Sequence, residues 1–187
     1  MKNLILLAIL LATINPSIGQ TVVGSVTLPN TVNFNSESLQ LNGAGIRKKA
    51  IVLKLYSGGL YLAKSSSNAN DIINSDETMA IKLVITSSFV SSEAMSEAVR
   101  DGFDASMEGN TSSLSSEIDT FISFFSDEIV ENDVFDITYQ QGKGAIAYKN
   151  GKMLGTIEGM KFKKALFGIW LGKDPVDSKL KKGMLGK

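Results

Sequence analysis

The chain has 187 residues, of which 43% are hydrophobic and 20% charged, a composition suited to one globular domain with a substantial core. Basic and acidic residues number 19 each, so no charge imbalance points to nucleic acid or to an anionic membrane surface. Cysteine and histidine are absent, which excludes thiol nucleophiles, disulfides, Ser-His-Asp triads and zinc sites built on either residue, and no acidic cluster has the spacing of a calcium loop.

The first residues, MKNLILLAILLATINPSIGQ, combine a short basic start at Lys2 with an apolar run from Leu4 to about Ile14. Pro16 breaks that run, and Ser17 and Gly19 follow at the spacing a signal peptidase accepts. The run is short of the roughly 20 apolar residues that span a bilayer. Residues 1–19 therefore read as an export signal, with a periplasmic or secreted destination, and 20–187 as a single domain. A chain without cysteine suits such a location in a bacterium.

From Thr21 the residues are of β type, in TVVGSVTLP and TVNF, divided by the turn signal Pro29-Asn30. ESLQLNGAGIRKK leads through a glycine-rich bend into two short strand-like runs, Ala50–Tyr56 and Leu60–Ala63, hinged at Gly58-Gly59, where glycines inside a strand pattern mark a bulge or the close approach of a ligand or another backbone. A short helix is expected near Ala69–Asn74, then the strand MAIKLVIT. In Ser92–Met107, Ala94, Met95, Ala98, Val99 and Phe103 recur at helical spacing, with Ser92 as N-cap. Leu114, Ile118, Phe121, Ile122 and Phe125 form a second apolar stripe, read as core packing. DVFDITYQ and GAIAYKNGKMLGTIEG follow as strands, and Asn150-Gly151 is a strong hairpin signal. A helix over Lys161–Leu171 and a segment over Asp177–Leu185 close the chain. Strands, helices, a β-meander and helices in that order predict an α+β fold, an antiparallel sheet with helices on one face.

Few residues offer chemistry. Gly43-Ala44-Gly45 is half of a phosphate-loop fingerprint with no helix pattern after it, and a bend between strands is the better reading. The tail KLKKGMLGK reads as a solvated helix face, Lys48-Lys49 as solvated, and Trp170 as either core or pocket wall. Arg47 is one of only two arginines. Beside an apolar strand its guanidinium offers bidentate hydrogen bonding that lysine cannot reproduce, although an ordinary salt bridge with a nearby carboxylate explains it equally well. Tyr56, nine residues on, would face the opposite side of one regular strand, and meets Arg47 only if a turn or bulge intervenes.

The stretch LNGAGIRKKAIVLKLYSGGLYL, with NGKMLGTIEGMKFKKALFGIWLGKDPVDSKLKKGMLG, resembles the chalcone isomerase-like superfamily over about residues 21–187, and most of all its bacterial members, grouped with the fatty-acid-binding branch. The resemblance implies an open-faced β-sandwich, a large antiparallel sheet covered by a layer of helices with a ligand cleft between them. Arg47 matches the arginine that steadies the substrate phenolate in the plant enzymes. Tyr56 stands where those enzymes have threonine and the fatty-acid-binding branch has tyrosine, paired with the arginine around a carboxylate. The enzymes' helical Tyr and Asn fall on Ala94 and Asp101, and their C-terminal Thr or Ser near Ile169, so only the arginine of the enzymatic set is retained.

The resulting expectation is an exported, non-catalytic binding protein for a fatty acid or similar amphipathic carboxylate. Arg47 and Tyr56 would hold the carboxylate, and Leu55, Phe103, Phe121, Phe125 and Trp170 would wall the apolar chain. No cofactor, metal or nucleic acid partner and no stable membrane span are expected, and the protein is expected as a monomer. The alternatives are an isomerase or lyase acting on an enone or phenol with Arg47 as electrophilic stabiliser, and a partner-binding scaffold with a collapsed cleft.

Overall fold

The structure is a computed structural model that describes residues 19–34, 36–50 and 52–187. The export signal expected over residues 1–19 lies outside the described residues, except for Gly19 itself.

An antiparallel sheet of seven strands organises the chain, in the spatial order β3 (Thr31–Phe34), β4 (Glu37–Lys49), β5 (Leu53–Leu62), β6 (Met79–Ile85), β7 (Val134–Gln140), β8 (Gly144–Lys149) and β9 (Lys152–Ile157). The sheet curls into a half-barrel: the rings of Phe34 on β3 and Tyr148 on β8 approach to 6.0 Å although four strands separate them. A separate hairpin, β1 (Gln20–Val23) and β2 (Val26–Pro29), lies across the face away from the helices. There Ser57 Oγ donates to the Val23 carbonyl and Tyr61 Oη to the Pro29 carbonyl. The expected run TVVGSVTLP is thus two strands, because Gly24 adopts positive φ and turns the chain.

The other face carries the core and the helices: α1 (Ala69–Asn74), α2 (Ser92–Ser106), α3 (Ser115–Ser123, entered through a 3-10 turn at Thr111–Leu114), α4 (Met160–Leu171) and α5 (Ser178–Met184). This α+β architecture agrees with the sequence expectation. On α2 the stripe Met95, Val99 and Phe103 is buried as its spacing requires. Its cap is Ser91 rather than Ser92, the Ser91 Oγ accepting from the Ala94 N–H. Asn150-Gly151 makes the expected hairpin, with φ of 51° and 80°.

The largest departure concerns residues 37–62. The glycine-rich stretch is no bend, and Gly58-Gly59 is no hinge. β4 runs on through Gly43, Ala44 and Gly45 to Lys49, which pairs with Leu53 at the start of the antiparallel β5, and β5 runs unbroken through both glycines. These glycines make room for neighbours. A Cβ on Gly43 would stand 2.2 Å from the Gly183 carbonyl oxygen of α5, and one on Gly59 would press on Leu41 and Leu28.

α4 is buried almost all round, and its approach to α2 depends on Gly102 and Gly168, where a Cβ would crowd Ile169 and Ser106. Its Lys163 is fully buried and donates to the carbonyls of Ile72, Ile73 and Ser75, at 2.9, 2.8 and 2.7 Å, ending α1. The ammonium also lies over the rings of Tyr139 and Phe167, and burial pulls its pKa down to about 8. Lys163→Met keeps the length of the side chain but takes the ammonium from three carbonyls, of which that of Ile72 still accepts from Ser75 Oγ. It should lower unfolding free energy by about 2–4 kcal/mol, measured by urea denaturation, with hydrogen exchange accelerated first in α1.

Candidate functional site

A cleft of about 600 Å³ opens between β4–β6 and the helices α2 and α4, within the roughly 300–1,000 Å³ range of small-molecule sites. Its apolar wall includes Leu55, Leu83, Met95, Val99, Ile169 and Trp170. Polar groups are fewer: Arg47, Lys49 and Tyr56 from the sheet, Glu97 and Asp101 from α2, and Asp174 beyond α4.

Arg47 and Tyr56 lie directly opposite each other in the β4–β5 register and both line the cleft. Sequence periodicity puts them on opposite faces of one regular strand and lets them meet only if a turn or bulge intervenes. They lie instead on two antiparallel strands, paired from Lys49 and Leu53 onward, where facing residues share a side of the sheet. A register shift follows immediately between Arg47 and Lys48.

Arg47 has one carboxylate near it already. Its Nη1 lies 3.8 Å from Asp177 Oδ2 and also donates to the Lys48 carbonyl. Asp177 is the N-cap of α5: its Oδ1 accepts from the N–H groups of Lys179 and Leu180 at 2.8 and 3.0 Å, and its Oδ2 from the Lys48 N–H at 3.1 Å. Burial raises the Asp177 pKa, but these three N–H groups and the Arg47 charge outweigh it and hold the carboxyl below its usual range. The salt-bridge reading of Arg47 is therefore part of the answer. The two side chains remain only 24% and 13% exposed, so the pair is half-buried at the cleft edge rather than free on the surface.

Tyr56 is buried, and its oxygen accepts from Trp170 Nε1 at 3.1 Å. Burial pushes the hydroxyl up to about 12, against the opposing influence of the Trp170 N–H and the Arg47 charge. The hydroxyl thus stays protonated at neutral pH, with its oxygen engaged and its hydrogen able to donate into the cleft.

Of the expected wall residues, Leu55 and Trp170 line the cleft. Phe103, Phe121 and Phe125 do not line it. They pack with Phe162 and Phe135 in edge-on and tilted pairs 5.4–6.0 Å between centroids, filling the core between α2, α3, α4 and the sheet. Helical spacing marks a buried face but not whether that face meets a void or another ring. Ala94, Asp101 and Ile169, on or near which the family resemblance places the enzymes' polar groups, all border the cleft. Sequence reasoning missed Asp177, Met95 and Phe89 as site residues. The Asp-Ser-Lys-Leu start of α5 announces an N-cap, but nothing in sequence joins it to an arginine 130 positions earlier. Among the described residues, no group of three or more acidic residues is placed to hold a metal ion.

A curled antiparallel sheet under a helical layer, with a largely apolar cleft between them that an arginine and a tyrosine border, defines an open-faced α+β sandwich. The chain belongs to the chalcone isomerase-like family, whose sequence profile matches residues 20–186. Among solved structures it is similar to a fatty-acid binding protein of Arabidopsis thaliana, at 20% identity and a TM-score of 0.71, covering 89% of this chain and 96% of that one. That likeness concerns the fold. No curated protein sequence matches the chain.

Because the native fold keeps Tyr56 protonated up to about 12 while an unfolded tyrosine ionises near 10, the unfolded state loses its proton first. The contribution of Tyr56 is complete below pH 10 and is lost as pH rises toward 12. Tyr56→Phe should be less stable than the parent at pH 8, by about 1–2 kcal/mol, since Trp170 loses its acceptor. The gap should shrink by pH 11 in paired denaturation curves; a gap that widens contradicts the burial of this hydroxyl.

Proposed function

We propose that this protein is a non-catalytic binding protein for a fatty acid or similar amphipathic carboxylate, exported by its N-terminal segment and related to the bacterial members of the family. Arg47 and Tyr56, set opposite each other in a cleft whose wall is mainly apolar and whose other polar groups are Lys49, Glu97, Asp101 and Asp174, carry this reading. One carboxylate oxygen would accept from the Arg47 guanidinium and the other from the Tyr56 hydroxyl, with the chain running toward Met95 and Val99. The Arabidopsis protein of similar fold is itself described as fatty-acid binding. Where the plant enzymes position a phenolic substrate with helical Tyr, Asn and Thr or Ser, this cleft has Ala94, Asp101 and Ile169. An aspartate facing the cleft opposes a bound phenolate, which argues against ring-closing chemistry.

Trp170 is the only tryptophan and borders the cleft, so its fluorescence reports occupancy. Titration with palmitate should give a saturable change, and the alcohol of equal chain length should bind about tenfold more weakly or worse, as should palmitate to Arg47→Ala. Equal affinity for acid and alcohol, or an unaffected Arg47→Ala, would sink the carboxylate clamp. Turnover of a chalcone panel above the uncatalysed rate would instead support the isomerase reading.

Asp177 competes with the ligand for Arg47. Asp177→Asn retains a good helix cap while removing the charge, so it should tighten palmitate binding several-fold in the same titration with little change in Tm. Weaker binding would show that Asp177 positions the guanidinium rather than opposing the ligand.

A further inference from the structure

Five large apolar side chains are exposed among the described residues: Val22, Val52, Phe89, Val130 and Met153. Val22 belongs to the β1–β2 hairpin. The other four come from segments far apart in sequence that share one end of the sheet. Val52 is in the β4–β5 turn, 83% exposed, and Phe89 is in the loop between β6 and α2, 71% exposed. That loop begins alongside β5, the Thr86 N–H donating to the Leu55 carbonyl at 3.0 Å. Val130 precedes β7, where the Asn132 N–H donates to the Ile85 carbonyl at 2.9 Å. Met153 follows the β8–β9 turn, which joins the start of β7 through the Asn150 N–H and the Val134 carbonyl.

The cleft opens at this same end, with Phe89, Leu53 and Lys49 among its lining. Lys49, Lys54 and Lys152 are exposed here and have no ion-pair partner among the described residues. Of the four carboxylates in the loop before β7, Glu131 is held by the Ser88 N–H and Asp133 by Lys149 and Asn150, while Asp127 and Glu128 are exposed with no ion-pair partner among the described residues. Isolated apolar tips separated by lysines offer no continuous patch for a protein partner of ordinary interface size. They match the layered chemistry of a bilayer surface, where apolar tips enter below the headgroups and lysines meet lipid phosphates.

We propose that this end of the sheet docks on a phospholipid bilayer, inserting Phe89 and Val52 so that the cleft mouth faces the lipid from which its ligand is drawn. The proposal rests on the lipid-ligand reading above and adds where the ligand enters. Apolar insertion supplies most of the attraction, and Lys49 and Lys54 add a preference for anionic lipid.

The chain contains no cysteine, so a single one can carry an environment-sensitive fluorophore at a chosen place. The label is placed at Phe89→Cys, or at Gln141→Cys in the exposed turn at the opposite end of the sheet. Each protein is mixed with phosphatidylcholine vesicles, with and without phosphatidylglycerol. The label at 89 should shift to the blue with both vesicles, at lower lipid concentration when phosphatidylglycerol is present, and the label at 141 should not shift. Adding Val52→Ser should weaken partitioning roughly tenfold, and Lys49→Glu with Lys54→Glu should remove the phosphatidylglycerol preference. Equal responses at 89 and 141, whatever attaches the chain to the vesicle, overturn the proposal, as does no response at all. A shift at 89 that grows with protein concentration without vesicles overturns it in favour of self-association. Arg47→Ala in the same assay separates the two readings. It should abolish palmitate preference while leaving the vesicle response unchanged, so a missing clamp and a missing docking surface fail in different measurements.

Discussion

Everything about the site depends on how closely α5 lies against β4. Helix and strand meet backbone to backbone, because Gly43 and Gly45 on the strand and Gly183 on the helix leave no side chain between them. A Cβ on Gly183 would stand 2.4 Å from the Ala44 carbonyl oxygen, so even alanine there would force the two apart. Both ends are pinned by side chains. Asn42, in the bulge of β4, donates to the Met184 carbonyl at 2.8 Å, and Asp177 accepts from the Lys48 N–H at 3.1 Å. Leu180 and Met184 then bury against the sheet and join the main core. The consequence for function is direct, since the docked helix delivers the Asp177 carboxylate to the Arg47 guanidinium.

That arrangement answers how an arginine can stand beside an apolar cleft. A half-buried guanidinium without a counterion is costly. Asp177 offsets the cost at 3.8 Å, a separation too long for a good charge-assisted hydrogen bond. The pair is thus near enough to neutralise Arg47 without a close carboxylate hydrogen bond to its guanidinium. Tyr56 is kept protonated beside it by burial, and Trp170 fixes its oxygen from the opposite layer. The cleft wall on the helical side has its own requirement. Gly102 lets α2 close onto Ile169, and a larger side chain there would both part the helices and change the volume they enclose.

How far this was legible beforehand varies with the physical range of each signal. The α2 stripe, the Asn150-Gly151 turn and the buried α4 helix follow from local periodicity and turn chemistry, and the structure has them within a residue or so. Gly43 and Gly45 were misread as a bend and Gly58-Gly59 as a hinge, because a glycine forced by positive φ looks the same in sequence as one forced by a neighbour. The close approach of a neighbour also expected at Gly58-Gly59 is present. None of these four has positive φ, and each would strike α5 or a side chain from another strand. Phe121 and Phe125 were misplaced for a related reason: their spacing marks them as buried, while only the packed partners decide between core and cleft.

By itself the sequence determined the α+β class, the positions of most elements and the candidacy of Arg47 and Tyr56. Composition, period and family motif are properties of the chain read in order, and each acts over a few residues or through shared ancestry. Only the tertiary structure decided that Arg47 and Tyr56 face one side of the sheet, that Asp177 stands next to the guanidinium, and that Val52, Phe89, Val130 and Met153 share one end of the sheet, where Phe89 lines the cleft. Those facts join residues up to 130 positions apart. They follow from strand register and from the distance at which a helix can approach a strand, which no local pattern encodes.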